Sequence, residues 1–435
     1  MSRLLSPSGL AGHAIIGLTL WSLAAPHTFA SKKKDPPAEP PHVRATLPPS
    51  FSIPAEPLGF AAPGEFYLGM RNSLVSLDFL DEDRLLFTFR VPALIHREGS
   101  NRDTHDERRI RALVLRLPSG AVEAETIWTV HDHAHYLYML DHGQFLVRDR
   151  NNILLGDSSL QLKPFLRFPG PVLWVEIDPS RRYLVAGSTE PAAHKTAEGE
   201  VPSPATAAAN VDSDQTPASE TSDLVLRIMR RSDGKVMLVS HVRNAVHLPI
   251  NNEGYLEPLR SRGSAWELNF NHFDGGSTLL GKVDSVCSPL LDFISASEFL
   301  VTTCGPSGEP RLVAMSTSGH RLWDDPSVGP SVWPLLVPGA DGSRIARETL
   351  MATHSVNASA PLGTEDIKGQ DVQILDAASG KVVLRAAASP ILDAGGNVAI
   401  SPSGRRVAVL MDSKIQIFDL PAPPALPDST IQAGR

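Results

Sequence analysis

The sequence predicts an all-β protein: a seven-bladed β-propeller of four-stranded antiparallel blades, closed by an N-terminal strand that completes the last blade. Three observations lead there. Past residue 70, short apolar runs alternate with turn residues and almost no 3.6-residue periodicity is present. Two kinds of hairpin recur in alternation along the chain. Their spacing, once three polar segments are set aside, is that of a four-stranded repeat.

The elements follow in order. Arg3, the apolar run Ala14 to Ala25 and the small residues around Ala30 read as a signal peptide over residues 1–30. The run falls short of the roughly 17–25 residues of a membrane span, and an uncleaved anchor is the competing reading. Residues 31–61, with Lys32 to Lys34 and many prolines, read as an extended tether. No later run approaches spanning length, so the expectation is a secreted or periplasmic monomer without a transmembrane span after signal removal.

The propeller is expected over residues 62–425. The first hairpin type is apolar strand, polar turn, apolar strand: Leu77 to Phe89, Tyr138 to Val147, Val175 to Ala186, His247 to Leu256, Leu291 to Val301, Leu335 to Ile345 and Val398 to Val409. The second type places Gly in its turn, where positive φ is wanted, as in Leu115 to Val122, Ile228 to Val236, Phe270 to Gly276, Met315 to Leu322 and Ile374 to Val382. Two hairpins make one blade. The first-type hairpins recur every 37 to 46 residues, about the length of a blade, when segments 91–109, 188–222 and 352–370 are removed. All three fall between the second and third strands, which elaborates one face of the ring. Segment 188–222, rich in Ala, Ser, Thr and Pro, reads as disordered. Blade seven offers three strands before Pro421, and its fourth is expected around Glu65 to Gly69. Residues 426–435 are a tail.

The two cysteines, Cys287 and Cys304, flank a hairpin read as turning at Ser295-Ala296. That register sets them opposite each other, and export permits a disulfide; two buried free thiols are the alternative.

The grammar of SPSGRRVAVL followed by KIQIFDL resembles the WD40-like and YVTN-like β-propeller superfamily, at the level of fold and over roughly residues 62–425. The Gly-His and Trp-Asp signatures of WD40 repeats are missing, with Phe418-Asp419 where Trp-Asp would stand. The departure speaks against an intracellular scaffold role.

A formal charge of −8 with no basic stripe excludes nucleic acid as a partner. No Gly-x-Ser-x-Gly, His-Glu-x-x-His, P-loop or Gly-x-Gly-x-x-Gly pattern occurs. The candidate ligand face gathers His96, Asp103, His105 and Asp106 with His131, His133 and His135 of the link between blades one and two. Alternate histidines on an extended strand point the same way and could hold a divalent ion. The competing reading is a solvated junction, so no cofactor is predicted. His247 and His354 read as satisfied or solvent-facing, and Trp174, Trp266, Trp323 and Trp333 as core aromatics. The leading functional expectation is a non-enzymatic exported propeller that binds an unknown protein, peptide or glycan on its loop-rich face. The alternative is a metal-dependent hydrolase, lactonase-like, at the mouth of the central channel.

Overall fold

In a computed structural model of the chain, residues 45–62, 75–91, 107–131, 135–191, 222–242, 247–306, 310–326, 334–354, 363–392 and 394–422 are described. They form seven antiparallel sheets arranged as a seven-bladed propeller. Among the described residues no helix is long and apolar enough to cross a membrane.

The innermost strands of blades one, two and three are Val75–Phe79, Leu137–Met139 and Val172–Ile177; those of blades five, six and seven are Leu290–Phe293, Leu335–Pro338 and Val398–Ile400. In blade four the inner position is held by residues 247–251. Pro249 lacks an N–H and cannot complete a ladder. The segment is nevertheless stitched to its neighbour by Leu256 N–H to Pro249 O at 3.0 Å and Asn251 N–H to Gly254 O at 2.9 Å.

Because side chains alternate across each strand, every blade offers an apolar face to each neighbour. Each of the seven blade-to-blade interfaces holds its own buried cluster, for example Leu86, Trp128 and Phe145 between blades one and two. The second hairpin type joins third to fourth strands as expected, and Gly120, Gly234, Gly275, Gly319 and Gly380 all have positive φ in those turns. First-type turns are fixed by short polar side chains. Asp178 accepts the N–H groups of Ser180 at 3.0 Å and Tyr183 at 2.6 Å, and Asn251 does the same for Glu253 and Gly254.

The ring closes through an N-terminal strand, but not the expected one. Phe51–Pro54 pairs antiparallel with Lys414–Asp419, matching Phe51 to Ile417 and Pro54 to Lys414. This strand lies inside the stretch read as a tether, so the fold takes in chain before residue 62. Glu65 to Gly69 lie outside the described residues. Phe51–Pro54 is the outermost strand of its blade, and a proline is tolerated on such an edge.

The three polar segments do fall between second and third strands. Their edges, however, are structured: Tyr183–Pro191 pairs with Ser222–Arg230 out to Pro191 and Ser222. Residues 192–221, read as disordered, lie outside the described residues, as do the segments read as signal peptide and tail.

Cys287 and Cys304 form a disulfide with Cα atoms 5.6 Å apart. The reason differs from the sequence reading. The hairpin pairs Phe293 with Phe299 and Leu290 with Thr302, a register one residue off the expected one. Ile294 N–H and Ser295 N–H both donate to Glu298 O, making a three-residue turn. Cys287 precedes the ladder, on the link from blade four, where Val286 N–H donates to Cys304 O at 3.1 Å.

Candidate site in the central channel

The inner strands border a cavity of 590 Å³ lined from blades one to four, six and seven. It shares Met139, Glu176, Ile177, Arg181, His247 and Pro338 with a second lobe of 210 Å³ near the first-type turns, which blade five joins through Asp292. The wall is two-sided. Leu137, Leu335, Val337 and Val398 make apolar stretches, while Asp78, Glu176, His247 and Asp292 come from the inner positions of blades one, three, four and five.

His247 is gripped from both sides. Its Nδ1 meets Glu176, and its Nε2 lies 3.2 Å from Asp292 Oδ1 and 2.6 Å from Leu291 O. Burial alone would push the imidazole down, but the Glu176 charge, with Asp292 beyond it, holds it well above the ordinary histidine value. The ring is an imidazolium at neutral pH with both N–H groups used. The expectation of a satisfied histidine therefore holds, although its partners were not foreseen.

Asp78 accepts a hydrogen bond from Ser76 Oγ at 2.6 Å. Removal from solvent raises its carboxyl to about 6, against the opposing pull of Ser76 and Arg181. Arg181 is tied through Nη1 to Leu140 O. Glu348 comes from the second strand of blade six; it is 3% exposed and borders the cavity. Its Oε2 accepts from Gln370 Nε2 at 2.8 Å, and burial pushes the carboxyl up to about 8 despite that bond.

Of the ligand-face residues expected from sequence, His131 and His135 are described. His131 turns onto Asp149, donating its backbone N–H at 2.7 Å and setting Nδ1 at 3.0 Å from the same Oδ1. Its Nε2 faces Glu107 at 3.7 Å. His135 is exposed, borders the cavity and stands edge-on to Tyr138 at 4.8 Å. His133, His96, Asp103, His105 and Asp106 lie outside the described residues. Among the described residues, no three His, Cys, Asp or Glu side chains are grouped to hold a metal ion.

Trp266 and Trp323 are packed as expected, donating to Ser285 O and Ala377 O at 3.0 and 2.7 Å. Trp174 differs: it packs at the boundary of blades three and four but also borders the cavity. Trp333 is outside the described residues.

The acidic residues of the channel were missed. The signal was available in the hairpins themselves: Leu77-Asp-Phe, Val175-Glu-Ile and Leu291-Asp-Phe carry an acid at the same place before the first turn. Repetition of a charge on an inner strand marks a lining position.

No family model and no curated protein matches the chain. Solved structures similar to it include an acylaminoacyl peptidase of Pyrococcus horikoshii, at 10% identity and TM-score 0.46 over 82% of this chain and 53% of that one. Others are Kuenenia stuttgartiensis hydrazine synthase, at 9% identity and TM-score 0.43 over 83% and 96%, and the β-propeller domain of the Trilobed protease from Pyrococcus furiosus. That domain matches at 9% identity and TM-score 0.44 over 80% of this chain and 96% of its own. The chain spans about half the length of the acylaminoacyl peptidases it matches.

Proposed function

We propose that this protein is an exported, non-enzymatic binding propeller that seats an extended protein or peptide segment in the mouth of its central channel. The observation that carries the reading is the lock on His247. A general base needs a free nitrogen lone pair near neutral pH. His247 has neither nitrogen free, because Glu176 and Asp292 hold it as a cation. Around it the cavity joins apolar wall to a few fixed polar groups, which is the make-up of a recognition site. Export is supported by the signal-like N-terminus and by a disulfide that an oxidising compartment maintains.

The test is selection of a phage-displayed peptide library on the purified chain and on Leu335→Trp. Leu335 is 41% exposed at the channel wall, so an indole there fills the mouth without entering the core. The wild type should enrich a peptide family that Leu335→Trp fails to retain at an unchanged Tm. Enrichment of the same peptides by both proteins would refute a channel seat. Cleavage of a selected peptide by the wild type, read by mass spectrometry, would refute the non-enzymatic part and favour the hydrolase alternative.

A further inference from the structure

The channel wall contains a carboxyl whose hydrogen bonding is incomplete. Glu348 Oε2 is bonded to Gln370, and Gln370 is fully engaged beyond it. Gln370 Nε2 also donates to Asn397 Oδ1 at 3.2 Å, while its Oε1 accepts from Asn397 Nδ2 at 2.8 Å and Leu392 N–H at 3.0 Å. Asn397 Nδ2 donates again, to Pro390 O at 3.0 Å. Every polar atom of the two amides is used. Glu348 Oε1 is the atom left over: it is buried and has no hydrogen-bond partner among the described residues.

A buried polar oxygen without a partner, whether carboxylate or carboxylic acid, costs about 1–3 kcal/mol. The network does not require that cost, since Oε2 alone satisfies Gln370. The orphan oxygen belongs to a residue on the cavity wall, and the link beside it is built to stay thin. A Cβ on Gly395, where φ is +69°, would stand 3.5 Å from both Glu348 oxygens and 2.2 Å from Leu335 Cδ2. Glycine at that position leaves the carboxyl uncovered from the side of the link.

The charges around the cavity select the ligand. Asp78 shares the cavity with Glu348 and is mostly ionised at neutral pH, so an anion entering the cavity would meet its carboxylate. The cations on the same wall already have carboxylate partners: His247 lies between Glu176 and Asp292, and Arg181, bonded to Leu140 O, faces Asp141, Asp178 and Asp78. The apolar residues Leu335, Val337, Leu137 and Val398 offer a path for a hydrocarbon stem. We propose that Glu348 Oε1 receives a primary ammonium group of the segment seated in the channel, a lysine side chain or an amino terminus. This rests on the binding reading above and names the chemistry it recognises.

Proton release follows. Glu348 is largely protonated in the empty channel at neutral pH and must ionise to pair with an ammonium. Its strand neighbours Leu335 and Val372 are uncharged. On the adjoining strand Asp371 is held by Arg385 and Gln373, and on its own strand Arg347 is held by Asp325 and Gln373. Asp393 of the adjoining link lies outside the described residues. Asp78 is the other described carboxyl on this cavity that titrates above its usual range.

The experiment is isothermal titration of the full chain with acetyl-Ala-Ala-Lys-Ala-Ala-amide, its norleucine analogue, and pentaalanine with a free amino terminus. An ammonium should bind about tenfold or more tighter than norleucine, the scale of a charge-assisted hydrogen bond. The third peptide tells the two ammonium sources apart. Glu348→Gln, which keeps a partner for Gln370 and is checked by its Tm, should abolish the preference. Titrations in buffers of differing ionisation enthalpy should show about one proton released by the wild type and none by the variant. Equal affinity of all three peptides for the wild type overturns the proposal, as does a preference that survives in Glu348→Gln. If that preference survives while Leu335→Trp abolishes all binding, the ammonium position fails and the channel seat stands.

Discussion

Closure of the ring by Phe51–Pro54 makes a quantitative claim about Ile53. This residue is 4% exposed and sits in the cluster between blades seven and one, with Leu115, Leu410 and Ile417. It is also pressed against Gly120, where an added Cβ would come within 2.8 Å of its Cγ2. Ile53→Ala removes three carbons, about 2.5 kcal/mol at ~0.8 kcal/mol each. The tight surroundings relax little, so a cavity contribution adds to this and the expected loss is about 3–4 kcal/mol. Ser52, which points the other way on the same strand and is exposed, is the control: Ser52→Ala should change stability by less than about 0.5 kcal/mol. The assay is urea unfolding at constant pH, with Cm and the m-value fitted together. Ile53→Ala should lower Cm at unchanged m. Indistinguishable midpoints for the parent, Ile53→Ala and Ser52→Ala would mean that this strand does not hold the ring shut.

Three further outcomes follow. The disulfide spans a sequence separation of 17, so replacing both cysteines by serine should cost about 3 kcal/mol, read as a fall in Tm absent when the parent is kept oxidised. Stability should fall as pH rises from about 4.5 to about 8. Folded Glu348 keeps a proton over that window that the unfolded chain has released, contributing up to ~1.4 kcal/mol per pH unit; Glu348→Gln should reduce the slope by that share in pH-dependent melts. His247, raised in the folded state, contributes stability that is full below pH 6.5 and lost as pH climbs through its folded value. His247→Gln should therefore lose most stability in mildly acidic buffer, and an equal loss at every pH would contradict the imidazolium assignment.

Most of the architecture was legible because it is written in repeated local chemistry. Gly at the third-to-fourth turns and Asp, Asn or Ser at the first turns recur at blade spacing, and each has a direct backbone consequence. The closing strand was misplaced for the opposite reason. Phe51-Ser-Ile-Pro is short, lies in a proline-rich stretch and takes its meaning from Lys414–Asp419 at the other end of the chain. No local pattern distinguishes it from Glu65 to Gly69, which carries more aromatic character. The cysteines were paired correctly from a wrong register, since a three-residue turn cannot be told from a two-residue one by composition. Asp78, Glu176 and Asp292 were readable as a repeated acid on inner strands. Glu348 was not, because its significance depends on Gln370, Asn397 and a glycine link that only the folded ring brings together.

The account stands on the channel as the binding seat, and site-specific photo-crosslinking tests it directly. Benzoylphenylalanine is placed at Tyr138, whose aromatic ring already borders the channel cavity, and, separately, at Ile127, 44% exposed on the outermost strand of blade one. Each protein is irradiated in the cell fraction that holds it and adducts are mapped by mass spectrometry. Adducts at position 138 to a lysine-bearing or amino-terminal segment, suppressed by Glu348→Gln, are the expected result. Adducts at position 127 with none at 138 would contradict it.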